Sequence, residues 1–272
     1  MKIMKIGIIS KRSHEAIELT KEITNKLTEK NVDVYLEEDL AKELNQPNIL
    51  NFNEKLDYII WIGGDGTLLK FINKIVNLEA KVLGIKLGKV AFLCEVYPNQ
   101  IDYALNNLLK GNYRLDSKGL LEILLRDNKY YALNEVLFCV KELGKTVFFK
   151  VLKDESYLFD GRCDGIIVAT TTGSTAYIAS RNGPIIDPSL DLIIVDPLNP
   201  LRWGSRKIII PFNSSLKINC NEDFLTVIDG NIKIYTKKEE NVEVKGSSKR
   251  INFIRFSDDF YARIKMRSLL DA

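Results

Sequence analysis

Five residues, Gly63-Gly64-Asp65-Gly66-Thr67, stand between the apolar run Ile59–Ile62 and a segment with helical spacing. Glycines directly after a buried strand let the backbone turn sharply and bring its N–H groups close to a ligand, most often one that carries phosphate. A carboxylate in that cradle repels phosphate, so Asp65 needs a different task. It can serve as a base beside the reacting group or as a carboxylate next to a metal; the alternative is that it caps a helix beginning at Thr67. The long string after a buried strand favours the functional reading. A second run, Cys163–Ser180 (CDGIIVATTTGSTAYIAS), repeats the plan: a strand, five hydroxyls within Thr170–Thr175 around Gly173, then a helix start near Ser174. Hydroxyls and N–H groups gathered there suit a hydroxyl-rich or phosphate-bearing ligand, or else an ordinary N-cap cluster. Two such loops on two domains imply a cleft between them.

Other candidates carry less. Asn134 and Glu135 interrupt the apolar segment Tyr130–Val140, where a buried amide beside a carboxylate is costly unless both are paired. In isolation they read as a satisfied core pair or a strand-end contact. Lys11 and Arg12, after the first apolar strand, are weak phosphate candidates or plain surface charge, and His14 reads as a solvated or phosphate-proximal side chain. Two familiar fingerprints fail. After Gly64 and Gly66 the third position of Gly-x-Gly-x-x-Gly is Leu69, and the Gly144-Lys145-Thr146 triplet has Cys139 where a P-loop needs its first glycine.

The elements that must position these residues fall into two textures. Lys5–Ser10, the segment around Val34, Leu56–Ile62 and Lys81–Ile85 read as strands, with helices between them over Ala16–Leu27 and Thr67–Leu78 and a further helix at Ile101–Leu109; this alternation predicts a parallel sheet covered on both faces. Past Gly111 short strand patterns follow one another with few helices. The expectation is an α/β N-terminal domain over residues 1–110 and an all-β C-terminal domain over 111–256. A C-terminal helix, 257–272, packs back on the first domain with Phe260, Ile264 and Leu269 or Leu270 facing a core. With 272 residues, 46% of them hydrophobic, the chain can bury a sizeable core. Its formal charge of +3 is too small for a nucleic-acid coat. Four scattered cysteines and one histidine give neither a disulfide framework nor a metal-ligand set, and no stretch is long and apolar enough to span a membrane. The simplest reading is a soluble cytoplasmic protein with no nucleic-acid or membrane partner.

Taken in order, Gly63-Gly64-Asp65-Gly66-Thr67, Asn134-Glu135, Asp164-Gly165 and Thr172-Gly173-Ser174-Thr175-Ala176-Tyr177 resemble the NAD kinase family, over most of the chain. The first motif is shared with lipid kinases; the last is the discriminating one. The resemblance implies phosphoryl transfer from ATP, or polyphosphate, to the adenosine ribose 2′-hydroxyl of NAD, with a divalent metal (magnesium) accompanying ATP. On it Asp65 takes the hydroxyl proton and Gly64, Gly66 and Thr67 help to hold phosphates. Asn134 and Glu135 grip the adenosine side, Asp164 meets the nicotinamide end, and Arg162 is a candidate pyrophosphate contact. Thr175, Ala176, Tyr177 and Ser180 shape the adenine and ribose pocket. It also implies a homo-oligomer, dimer or tetramer, with the NAD site near a subunit boundary. Four departures from the family pattern stand out: Lys86 where Asn is usual, Ala91 for Gly, Thr171 for Pro, and Asn182 for Gly. Lys86 removes an amide and adds a cation able to reach phosphate, which joins Lys11 and Arg12 as a donor candidate. Two other functions share parts of this pattern, a lipid or sphingoid-base kinase and a non-catalytic dinucleotide sensor.

Overall fold

The computed structural model describes residues 3–88, 91–142, 144–202, 206–238, 240–257 and 260–270, with side chains of the last helix through Lys265. The chain divides into two units, Met1–Ser117 with Ile251–Ala272, and Lys118–Arg250.

The first unit opens with β1 (Lys5–Ser10), α1 (His14–Thr28), β2 (Asp33–Leu36), α2 (Glu38–Glu43), β3 (Tyr58–Gly63), α3 (Asp65–Leu69), α4 (Ile72–Ile75), β4 (Lys81–Lys86) and α5 (Ile101–Lys110). β1 pairs in parallel with β2 on one side and β3 on the other, and β4 follows β3 with Gly63 opposite Lys86. All six residues of β3 are buried, as a strand covered on both faces requires. Helix α1 turns Ala16, Leu19, Ile23 and Leu27 inward, the 3.6-residue spacing read in the sequence. The chain order β1–β2, then β3 on the far side of β1, makes the gap between the carboxyl ends of β1 and β3 a topological switch point, where open α/β sheets bind ligands. Lys11 follows β1 there, the glycine string follows β3, and Lys86 ends β4.

The second unit is antiparallel. The chain enters it along β5 (Arg114–Leu125) and continues through β6 (Asn128–Ala132), β7 (Glu135–Val140), β8 (Val147–Lys153), β9 (Ser156–Cys163) and β10 (Gly165–Thr170). A 3-10 turn (Thr172–Thr175) and α6 (Tyr177–Ser180) precede β11 (Leu192–Leu198), β12 (Ile208–Pro211), β13 (Ser215–Cys220), β14 (Phe224–Ile228) and β15 (Ile232–Thr236). β16 (Val242–Arg255) leads back to the first unit, where its end pairs in parallel with β4, and α7 (Phe260–Leu270) follows. Six strands run in the order β12-β11-β10-β7-β14-β15. Facing layers meet at Phe138, Phe149 and Phe224, whose rings pack edge to face.

Several elements differ from the sequence expectation. The helix expected over Thr67–Leu78 is two short helices, α3 and α4, parted where the Phe71 ring leaves to stack on Phe52 at 5.9 Å. The apolar run Tyr130–Val140 is not one strand, because it breaks at Leu133 and Asn134. The helix expected near Ser174 is a 3-10 turn and a four-residue helix. Strand β9 and helix α2 had no distinct apolar period to announce them. Phe260 and Ile264 are half-buried, whereas Leu269 and Leu270 lie beyond the described side chains.

Candidate active site

In the first unit the backbone folds the glycine string into a cradle. Gly63 has φ +147, and a Cβ there would lie 2.5 Å from the Thr67 Oγ1 and 3.2 Å from the Lys11 Cβ, so only glycine closes this turn. Thr67 N–H donates to the Gly64 carbonyl at 3.0 Å. Gly66 is exposed, and a Cβ on it would meet open space; nothing within the fold demands its bareness. Asp65 does not cap the helix. The N-cap is Gly64, with no side-chain cap hydrogen bond, and the Asp65 carboxylate instead accepts from Phe92 N–H at 2.8 Å and Leu93 N–H at 3.0 Å. One lone-pair direction per oxygen remains. The residue keeps partial exposure, yet burial is the strongest influence on its carboxyl and pushes it above the usual Asp range; the two N–H donors, Arg255 and Arg263 pull the other way.

The cations at the strand ends are placed unequally. Lys11 is exposed and its N–H extends the β1–β3 ladder to Ile62. Lys86 lies over the Tyr97 ring, 5.1 Å from its centroid, with its Nζ 3.4 Å from the hydroxyl. Arg12 turns away to pair with Glu37, with Glu43 at 3.7 Å and Asp39 at 3.8 Å. Three carboxylates around it discourage an added phosphate, so Arg12 is set apart from the group at the glycine string.

In the second unit Asn134 and Glu135 lie at the break between β6 and β7, and the side chain that makes the break is Asp229. Its buried carboxylate accepts from three successive N–H groups, Leu133 at 2.7 Å, Asn134 at 2.9 Å and Glu135 at 3.1 Å. Burial raises the Asp229 carboxyl to about 6 against these three donors. Sequence reasoning missed this residue; its Asp229-Gly230 pair signals only a hairpin turn. Glu135 Oε2 is buried without a hydrogen-bond partner. Burial, and after it the Asp229 charge, pushes Glu135 up to about 7, with the Tyr177 N–H opposing. The Thr172–Tyr177 segment packs directly on this break: Thr170 N–H donates to the Asn134 carbonyl at 2.9 Å, and a Cβ on Gly173 would lie 2.2 Å from that carbonyl oxygen.

The hydroxyl cluster is mostly internal. Thr170 Oγ1 donates to the Leu133 carbonyl, Thr171 Oγ1 to the Leu190 carbonyl and Thr175 Oγ1 to the Thr172 carbonyl, while buried Ser174 accepts from Ile186 N–H. These four hydroxyls tie the loop to backbone groups around it, so the cluster is neither a simple N-cap set nor a row of free ligand donors. Tyr177 and Ser180 are exposed, Thr175 and Ala176 half-buried. Asp164, which accepts from Asn199 Nδ2 at 2.8 Å, and exposed Arg162, which donates to the Thr146 carbonyl, lie at the opposite end of β10 from this loop.

Residues 6–113 match the ATP-NAD kinase N-terminal domain and residues 133–256 the ATP-NAD kinase C-terminal domain. The NAD kinase of Methanothermobacter thermautotrophicus is 31% identical over 97% of this chain and 95% of its own length. The chain belongs to the NAD kinase family. Family members are phosphotransferases, and the chain is an enzyme of that class. Its fold is that of yeast NADH kinase solved with NADH (TM-score 0.88, 21% identity, 97% of this chain and 87% of that one) and of an Archaeoglobus fulgidus NAD kinase solved with ATP (TM-score 0.79, 24% identity, 97% and 99%). Against the family pattern, Asn182 has φ +53, a conformation that glycine adopts freely and that Asn tolerates better than other side chains.

Proposed function

We propose that this chain transfers the terminal phosphoryl group of ATP, or of polyphosphate, to the 2′-hydroxyl of the adenosine ribose of NAD and so forms NADP. The hydroxyl oxygen attacks the terminal phosphorus, the bond from that phosphorus to the bridging oxygen breaks, ADP or the shortened polyphosphate leaves, and the hydroxyl proton passes to Asp65. The observation that carries this reading is the setting of Asp65: a carboxylate raised by burial and fixed by two backbone N–H groups, in a glycine cradle at the switch point of the sheet. Gly64, Gly66, Thr67, Lys11 and Lys86 form the donor side. Asn134, Glu135, Thr175, Ala176, Tyr177 and Ser180 form the adenosine side, with Asp164 and Arg162 for the nicotinamide end and the pyrophosphate.

Among the described residues no cluster of three or more His, Cys, Asp or Glu side chains would cage a metal, which suits an ion that arrives on the donor phosphates and takes few protein ligands. The chemistry magnesium supplies there is neutralisation of phosphate charge, which lets a carboxylate stand close by. Four free thiols, three of them buried, support a reducing, cytoplasmic setting. The family resemblance suggests a dimer or tetramer with the NAD site near a subunit boundary; light scattering after gel filtration measures the assembly.

Incubation with NAD, ATP and magnesium, read out as NADP, tests the reading. Phosphorylation of a sphingoid base or diacylglycerol in its place would favour the lipid-kinase alternative, and NAD binding without NADP under any donor would favour a sensor. Asp65→Asn is expected to keep NAD affinity and lose roughly 10²–10⁴-fold in turnover; unchanged turnover removes Asp65 from the mechanism. Lys86→Asn is expected to change the KM for ATP and for polyphosphate to different extents, and equal values in both proteins would dismiss a donor role for Lys86.

A further inference from the structure

The loop that holds Asp65 is itself held from behind. The peptide joining Phe92 to Leu93 turns its N–H to the Asp65 Oδ1 and its carbonyl to Arg263, whose Nη1 donates to it at 3.0 Å. The same nitrogen donates to the Cys94 carbonyl at 3.0 Å, and Nη2 to Glu95 Oε2 at 2.7 Å. Arg255, almost fully buried, donates to the Leu93 carbonyl at 2.7 Å and reaches Glu95 at 3.3 Å and Asp116 at 3.2 Å. The Glu95 side chain is 1% exposed, and its other oxygen takes the N–H groups of Phe256 and Ser257 at 2.6 and 3.0 Å. One face of the loop therefore meets two guanidiniums and the other meets one carboxylate. A guanidinium bonded to a carbonyl polarises that peptide and strengthens the hydrogen bond its N–H gives on the far side.

The geometry points to Arg263 as a positioning residue for Asp65: from the C-terminal helix α7 it grips the Phe92–Leu93 peptide, whose opposite side fixes the carboxylate. This rests on the role proposed for Asp65. Arg263 is not among the residues assigned to substrate, and it acts through the peptide and through its charge. The charged and titratable groups around the carboxylate come from several elements: Arg255 on β16 and Arg263 on α7 act on it directly, the Cys94 thiol is pushed up by burial and then by Asp65, and Lys86 on β4 acts on that thiol. Glu95 and Asp116 spend their charge on the two guanidiniums. Helix α7 also meets the loop through an apolar contact, Phe260 edge to face with Phe92 at 6.3 Å, which gives an independent handle on helix docking.

Arg263→Gln keeps length and polarity and removes the charge; Arg263→Lys keeps the charge and loses the fork; Phe260→Ala weakens the docking alone. In protein labelled with ¹³C at the aspartate carboxyl, the resonance missing from Asp65→Asn identifies Asp65, and its titration is followed in each variant. Arg263→Gln is expected to move that titration to higher pH, Arg263→Lys to move it less, and Phe260→Ala to leave it in place while lowering the melting temperature. In the NADP assay the acid limb of kcat moves with the resonance, and kcat in Arg263→Gln falls roughly tenfold or more, with KM for NAD and ATP unchanged. An unmoved titration and an unmoved kcat limb in Arg263→Gln would overturn the proposal, as would an equal shift in Phe260→Ala. Should Arg263→Gln not fold, Arg263→Lys carries the same comparison. If the wild-type protein forms no NADP, the kinase reading fails, while the carboxyl titration still decides whether Arg263 governs Asp65.

Discussion

At the scale of single residues, the least conspicuous position is the most informative. Gly66 stands in α3, where its φ is ordinary and the space above it is open. Alanine there raises helix propensity by up to about 1 kcal/mol, so an intramolecular account expects Gly66→Ala to stabilise the protein slightly. A ligand account expects the added methyl to intrude where donor phosphates approach the backbone. The expected outcome is an unchanged or raised melting temperature together with a KM for ATP raised at least several-fold; unchanged kinetics would assign Gly66 to the turn alone. Lys86 and Arg12 show the opposite lesson. Both are cations at strand ends, yet one rests on Tyr97 beside the glycine string and the other is spent on Glu37, and no one-dimensional pattern separates them.

At the scale of elements, the break between β6 and β7 decides where Asn134 and Glu135 point. A continuous strand would have alternated them across a sheet; instead three consecutive N–H groups turn to one carboxylate, Asp229, from the β14–β15 hairpin. Asp229→Ala would leave buried donors without acceptors and is expected to cost roughly 2–4 kcal/mol in urea denaturation, given about 1–3 kcal/mol for each donor that stays dry. It is also expected to weaken NAD binding, measured by calorimetry, because the break loses its fixed shape. Asp229→Asn, which keeps one acceptor oxygen, should fall between. Loss of stability with NAD affinity intact would mean the break matters only for folding. The apolar periodicity of Tyr130–Val140 made the strands legible; the break was not, because its cause lies 94 to 96 residues away in the chain.

At the scale of the whole molecule, carboxyls raised by burial set a cost on folding that depends on pH. Glu135, at about 7, and Asp229, at about 6, hold their protons more tightly folded than unfolded. The folded state therefore binds more protons between about pH 4 and pH 7, and the stability these groups allow falls as pH rises through that window. Pairs such as Glu38 with Lys42 and Glu18 with Lys21 shift their carboxyls downward and work in the opposite sense, but they are fully exposed and screened, so their effect is small. Glu135→Gln is expected to melt with wild type near pH 4.5 and above it at pH 8, with less NAD affinity at both. A melting-temperature difference that does not grow with pH would show that Glu135 is not held protonated by burial.

The class of each half of the chain and the family were legible in the amino-acid order, because strand and helix periods are local and because Gly63–Thr67 and Thr172–Tyr177 are contiguous strings. That order also determined which carboxylate to suspect. Three-dimensional packing alone shows that Asp65 caps nothing, that four of the five hydroxyls of the second loop are spent on backbone groups, mostly of other segments, and that Asp229, Arg255 and Arg263 stand behind the candidate groups. The physical reason is that hydrogen bonds to backbone N–H and C=O carry no signature of side-chain type at the accepting or donating position. Phe92 and Leu93 are chosen by where their peptide lies, and that place is fixed by packing rather than by the letters along the chain.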